Sequence, residues 1–531
     1  MNRHRRGLLF ISWVLAVLTI YSQCSAPEQQ CLVKISLVDK VTQHPIPGVI
    51  RCFLEGKSKA IPINELLARG QGVGSVALQQ QGKLPPRRSI HDWYVLPYPT
   101  EILLPQQSIY LEGFSGLETE KSGLSIDLRG KKQVTIKLSV QAFKNQLRQE
   151  NWYGGNTHLH LFKLSKDESD RYLQEIPRAD RLDLLFTSYL IRPSEDLHYI
   201  TNQYPIGDLK EFWKTGVLVN QGEEHRHNLK PFSEGYGHVM LLNIKKLIEP
   251  VSIGPGITGS GNDGIPLQAG INETHRQGGT AIWCHNTHGL ERVASFANKT
   301  VRIQNIFDGY SPDNYPRYED TFYHYLNAGL RISFSTGTDW FLSDFSRVYT
   351  QVNGDLSISN WLDALWKGRS FITNGPLFHF QIEGQNIGET VSLSKAQTIK
   401  IQGGALGRVD FEKLELIKNG QVIQQFSSQK EDQHFIANFN QTLQLNDPSW
   451  LALRVSSNTT TEYGFPVFGH TSPIYINIAE ESVHQPSAVA LLRKQLEKSK
   501  QIVTQKALFA TSQERETVLK VYDQGLQALQ P

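Results

Sequence analysis

The residues of this chain that can do chemistry are concentrated in one stretch. Of 17 histidines, ten lie between positions 158 and 324 (158, 160, 198, 225, 227, 238, 275, 285, 288 and 324). Gly155-Asn-Thr leads into His158-Leu-His160. In extended chain, residues i and i+2 face the same way. Two imidazoles so placed reach one ion at about 2.0–2.1 Å. Further on, the apolar run from Val217 enters Gly222-Glu223-Glu224-His225-Arg226-His227. A buried carboxylate at such a strand end needs a cation or a hydrogen-bond donor, and bridging two metals satisfies it. Gly237-His238 precedes another apolar run, which puts His238 at a strand start or in the preceding turn. Two more apolar runs end in chemistry, one in Cys284-His285-Asn286 and one in Asp339. Singly, each fits an ordinary hydrogen-bonded histidine or a solvated loop. Together, imidazoles and carboxylates at the ends of separate strands form the donor set of a divalent-metal centre.

These residues, in this order, resemble the PHP (polymerase and histidinol phosphatase) metallohydrolase superfamily, and within it the CehA/McbA family typified by carbaryl hydrolase. The likeness covers roughly residues 150–376. It implies a distorted, TIM-like βα barrel with metals at its C-terminal rim. It implies His158, His160, Glu224, His238, His285 and Asp339 as metal ligands, with Glu224 bridging. It also implies hydrolysis of a phosphoester, ester or amide bond by a metal-bound hydroxide, with Glu224, Glu223, His285 and Asp339 in catalytic roles. Bound divalent ions lower the pKa of water toward about 7 and polarise the scissile group. Glu223, with His225 or His227, is a candidate for shuttling the proton, and Arg226, Arg192 and Arg347 are candidates for holding an anionic group, against the plainer reading of exposed or structural arginines. Two departures matter. Asp339 is followed by Trp340-Phe341 rather than by the family's Asp-x-His, and Phe186-Thr-Ser188-Tyr189 stands where many members carry Thr-Asp-His. One or two divalent ions are therefore expected, not three. His198, His225, His227 and His288 remain as substitute ligands, and Asn286 as a further contact. A nitrogen and oxygen donor set accepts zinc, manganese or iron.

The elements that must hold these groups are short apolar strands alternating with helical stretches. Strands are predicted over 182–188, 216–224, 238–244, 280–285, 303–308, 332–339 and 370–374. Helices are predicted over 267–277, 318–328 and 359–367, the last capped by Ser359-Asn360. Strand and helix alternation of this length predicts an α/β fold, a βα barrel or a doubly wound sheet. The flanks differ. Cys31 to Val38 alternates at period two, and Asn419-Gly420 marks a hairpin. The expected order is a signal peptide (1–26), a β-sandwich (27–149), the metal-binding βα barrel (150–376), a second β-sandwich (377–480) and a helical tail (481–531).

The whole chain has 531 residues, 39% of them apolar and 20% charged, which is ordinary globular usage. Its net charge of +3 disfavours a nucleic-acid partner. Four cysteines exclude a disulfide-built scaffold, although a Cys31–Cys52 bond stays open. Arg3-His-Arg-Arg6, the apolar run from Leu8 to Tyr21 and Cys24-Ser-Ala26 form an export signal, and no second apolar run is long enough to span a bilayer. The expected protein is an exported hydrolase acting on a small-molecule substrate, an anionic one among the options. The alternative is a catalytically inactive relative that binds carbohydrate or a surface. Oligomeric state is open.

Overall fold

The computed structural model describes residues 29–73, 89–144, 147–192, 199–229, 235–259, 261–284, 289–308 and 322–530. The expected signal at 1–26 lies outside them, as do His198, His285, Asn286 and His288. In the N-terminal part, strand Gln30–Asp39 lies between Thr100–Pro105 and Gln133–Val140 in a three-stranded sheet. A four-stranded sheet is built on the Gly48–Leu54 and Ser108–Phe114 pair. The period-two pattern sends Cys31, Val33, Ile35 and Leu37 into one core with Ile50, Cys52 and Leu111. Cys31 and Cys52 are separate buried thiols there.

The central region corrects the expected βα barrel. Strands take 41% of the described residues and helices 22%, and no closed barrel is found among them. Strand Trp152–His160 pairs in parallel with Leu184–Tyr189, which pairs in parallel with Leu218–His227. The next strand, Gly237–Leu242, then runs antiparallel to both of its neighbours, Leu218–His227 and Thr280–Trp283. The reason is chain length. Only residues 228–236 connect the first pair, and a helical crossover that restores a parallel strand needs about a dozen residues. Parallel order resumes through Ile303–Asn305 and Ser333–Ser335. Arg347–Gln351 and Ser370–Thr373 add antiparallel strands on the far side of Trp152–His160. The same 18-stranded sheet continues past residue 376 into Ser449–Thr460, Pro466–Thr471 and Ile474–Ile478.

Helices cover this sheet where the sequence supplies a start and an apolar face. Lys166–Ala179 begins with a capping box between Ser165 and Glu168 and buries Tyr172, Leu173 and Ile176. Ile358–Trp366 is capped by Ser357 through the Asn360 N–H, two residues before the expected cap. Arg69, fully buried, pins the N-terminal part to this layer. It grips the Asp180 carboxylate through Nε and Nη2 (3.1 and 2.5 Å) and donates to the Leu342 carbonyl (2.6 Å). Asn419 and Gly420 both take positive φ in the turn between Lys413–Lys418 and Gln421–Ser427, as a tight hairpin requires. Helices Pro486–Lys506 and Ser512–Ala528 pack against Arg292–Ala297. Among the described residues no helix is long and apolar enough to cross a membrane.

Candidate metal centre

The centre is built around the end of strand Trp152–His160. Alternation puts His158 and His160 on one face, both fully buried. The chain from Thr336 to Phe341 runs beside them. Thr338 N–H donates to the His158 carbonyl (3.1 Å) and Phe341 N–H to the His160 carbonyl (3.1 Å). Gly337 makes this approach feasible, because a Cβ there would lie 2.4 Å from the His158 Cβ. Asp339 adopts φ 58°, a left-handed conformation that costs a non-glycine residue roughly 1–2 kcal/mol. That backbone brings its carboxylate within 3.4 Å of His158 Nε2 and 3.8 Å of His160 Nε2. Glu224 comes from Leu218–His227, with Oε2 3.0 Å from His160 Nε2 and 3.7 Å from His158 Nε2.

Proton placement decides what these contacts mean. His160 Nδ1 lies 3.1 Å from the Ser188 carbonyl, which can only accept, so the ring proton is on Nδ1. His158 Nδ1 donates to Asp308 Oδ2 at 2.8 Å, and Asn305 Nδ2 steadies the same oxygen at 3.1 Å. In the neutral rings both Nε2 atoms therefore present lone pairs, and they converge to 3.0 Å. Two lone pairs so close, beside two carboxylates, repel unless a proton or a metal ion lies among them. The dimensions fit a cation. Two nitrogens 3.0 Å apart and each about 2.1 Å from a shared ion subtend about 90° there. The separations given above, 3.0 to 3.8 Å, are all under twice that bond length. His158, His160, Glu224 and Asp339 thus lie close enough to hold a metal ion.

Electrostatics point the same way. Burial alone would lower the His158 imidazole, but Asp308 and Asp339 outweigh it and hold its proton affinity well above normal. Burial alone would raise Glu224. Arg226, followed by the neighbouring imidazoles of His158, His160 and His238, holds it well below the usual carboxylate range. The site therefore keeps the Glu224 carboxylate charged and favours positive charge, a proton or a metal ion, at His158.

Other predicted residues divide by strand face. Glu224 and Arg226 point one way from strand Leu218–His227, and Glu223, His225 and His227 the other. Glu223 accepts from His225 Nδ1 (2.8 Å) and from the Ile248 N–H (2.8 Å), away from the cluster. His227 donates to Asp263 (2.9 Å) and stacks on Tyr236 with ring centroids 3.7 Å apart. Arg226 is buried with Nη1 3.8 Å from Glu224 Oε1. His238 Nδ1 lies 3.2 Å from that same oxygen, so Glu224 faces the His158–His160 pair with one oxygen and His238 and Arg226 with the other. Arg192 is half-buried after Leu184–Tyr189 and outside the four-residue cluster. Arg347 is spent on the Asp180 and Phe345 carbonyls.

Several contributors were not singled out in the sequence. Asp308 fixes His158, and with Cys284 and His158 it forms a second group close enough for a cation. The signal for Asp308 was present, a carboxylate at the end of a predicted strand. Trp340, in the segment where Asp-x-His was absent, lies against the His160 ring at 5.3 Å and stacks on Tyr199 at 5.7 Å. Compared with protein-family models, with curated proteins and with solved structures, this chain matches none.

Proposed function

We propose that this chain is a metal-dependent hydrolase that cleaves a phosphoester, ester or amide bond of a small, anionic molecule. One observation carries the reading. Two buried imidazoles with their Nδ1 protons committed elsewhere turn their Nε2 lone pairs toward each other at 3.0 Å, between the carboxylates of Glu224 and Asp339. A divalent ion bound there lowers the pKa of water toward about 7 and polarises the scissile oxygen. The chain supplies the rest. Asp308 and the Ser188 carbonyl hold the two imidazoles in the ligating tautomer. Glu224 spans the space between the His158–His160 pair and His238, which suits a bridging carboxylate. His238 is partly exposed at the rim and takes or returns a proton. The Arg226 Nε is buried and makes no hydrogen bond among the described residues, so it is available to an anionic substrate group. Residues 1–26 support export.

The test combines metal content with turnover. Protein purified without chelator is expected to carry divalent metal and to hydrolyse a member of a panel of phosphomonoesters, phosphodiesters, aryl esters and amides. His158→Ala with His160→Ala is expected to abolish both. Wild-type metal content and turnover in that double variant would overturn the assignment.

A further inference from the structure

The strands that carry Asp308 and Asp339 toward the metal centre open at their other ends onto a cavity of about 370 Å³. That volume lies within the roughly 300–1,000 Å³ usual for small-molecule sites. Arg302 immediately precedes strand Ile303–Asn305, and Arg331 closely precedes Ser333–Ser335. None of the residues lining the cavity belongs to the metal cluster, so the cavity is distinct from the metal centre.

Four cations line the cavity, and two are neutralised in place. Lys367 pairs with Asp363 at 2.6 Å and Arg369 faces Glu389 at 3.4 Å. Both follow the C-terminus of Ile358–Trp366, where the helix dipole favours cations. Arg302 and Arg331 have no carboxylate within ion-pair distance among the described residues. Instead each lies over an aromatic ring, Arg302 5.4 Å from the Trp366 centroid and Arg331 4.4 Å from that of Tyr475. Stacking holds a guanidinium in place while leaving its in-plane N–H groups to donate. Arg331 uses one of them on Thr390 Oγ1 at 2.8 Å. Burial raises the Tyr475 hydroxyl, and Arg331 and then, after the Ile332 N–H, Arg302 pull it back, so both cations act at one phenol.

We propose that this cavity binds an oxyanion-bearing small molecule, a phosphate monoester or a carboxylate, gripped by Arg302 and Arg331. Two ring-supported guanidinium groups without carboxylate partners offer charge and forked donors to a planar or tetrahedral oxyanion. Among the described lining residues the one carboxylate, Glu389, is already committed to Arg369 and to the Asn386 N–H. The proposal does not depend on the hydrolase reading.

The test is calorimetric titration of the full chain with inorganic phosphate and, separately, with succinate, against sodium chloride at matched ionic strength. Saturable binding of either probe is expected, and which probe binds identifies the ligand's anionic group. Arg331→Gln, at an exposed position, and Arg302→Gln are each expected to weaken that binding by roughly tenfold or more. Binding of neither probe would overturn the proposal. So would binding that survives both substitutions, since the anion would then sit elsewhere, the metal centre included.

Discussion

Replacing Asp308 by asparagine tests how the metal centre is held together. Asp308 Oδ2 accepts the His158 Nδ1–H at 2.8 Å and the Asn305 Nδ2–H at 3.1 Å. An amide oxygen in its place can still accept both, so the packing survives and only the charge is lost. A hydrogen bond to a charged group is worth about 1.5–3 kcal/mol. Loss of a carboxylate behind a ligating histidine typically costs about 10- to 100-fold in metal affinity, or about 1.4–2.7 kcal/mol. The two ranges overlap, so zinc and manganese affinities of Asp308→Asn should fall by about 10- to 100-fold. Competition against a chromophoric chelator, starting from metal-stripped protein, measures this directly. Near-UV circular dichroism checks that the fold is unchanged. Unaltered affinity would refute the claim that Asp308 orients His158. A loss far beyond that range would also refute it, and would make Asp308 a direct ligand beside Cys284 and His158.

Two further predictions concern stability. Arg69→Met leaves the Asp180 carboxylate buried without its guanidinium partner, so urea unfolding should show a loss of about 3–5 kcal/mol, and a loss under about 1 kcal/mol would contradict the buried-pair reading. His470 is fully buried, donates to the Thr471 carbonyl, accepts from the Tyr323 hydroxyl and lies near Arg454; burial above all lowers its pKa to about 3. The folded state thus refuses a proton that the unfolded chain takes up below about pH 6.5. Stability from this group is fully present above pH 6.5 and falls with decreasing pH at about 1.4 kcal/mol per unit, or about 2 kcal/mol by pH 5. His470→Gln should flatten that part of the stability–pH curve, and an unchanged slope would rule the mechanism out.

Much of the site could be read from local pattern. His158 and His160 share a face because extended chain alternates, and that rule holds wherever the strand packs. The same rule, applied to Leu218–His227, separates Glu224 and Arg226 from Glu223, His225 and His227, so Glu223 had no geometric claim to the proton-shuttle role. Asn419-Gly420 was legible as a hairpin because positive φ at both positions is a local demand. The strand directions that replace the expected barrel were not legible. Apolar runs of four to eight residues give no strand direction, and the antiparallel entry of Gly237–Leu242 follows from a connection too short to cross over.

By itself, then, the amino-acid order determined which groups are chemically able to ligate and which way each faces within its own strand, because both are properties of a residue and its immediate neighbours. Tertiary structure alone decided that residues near 158, 188, 224, 308 and 339 meet. Only there do a main-chain carbonyl at Ser188 and a carboxylate 150 positions from His158 set which nitrogen carries a proton. A backbone oxygen has no signature in residue type, and contacts of such long range are set by strand pairing and glycine clearance rather than by spacing along the chain.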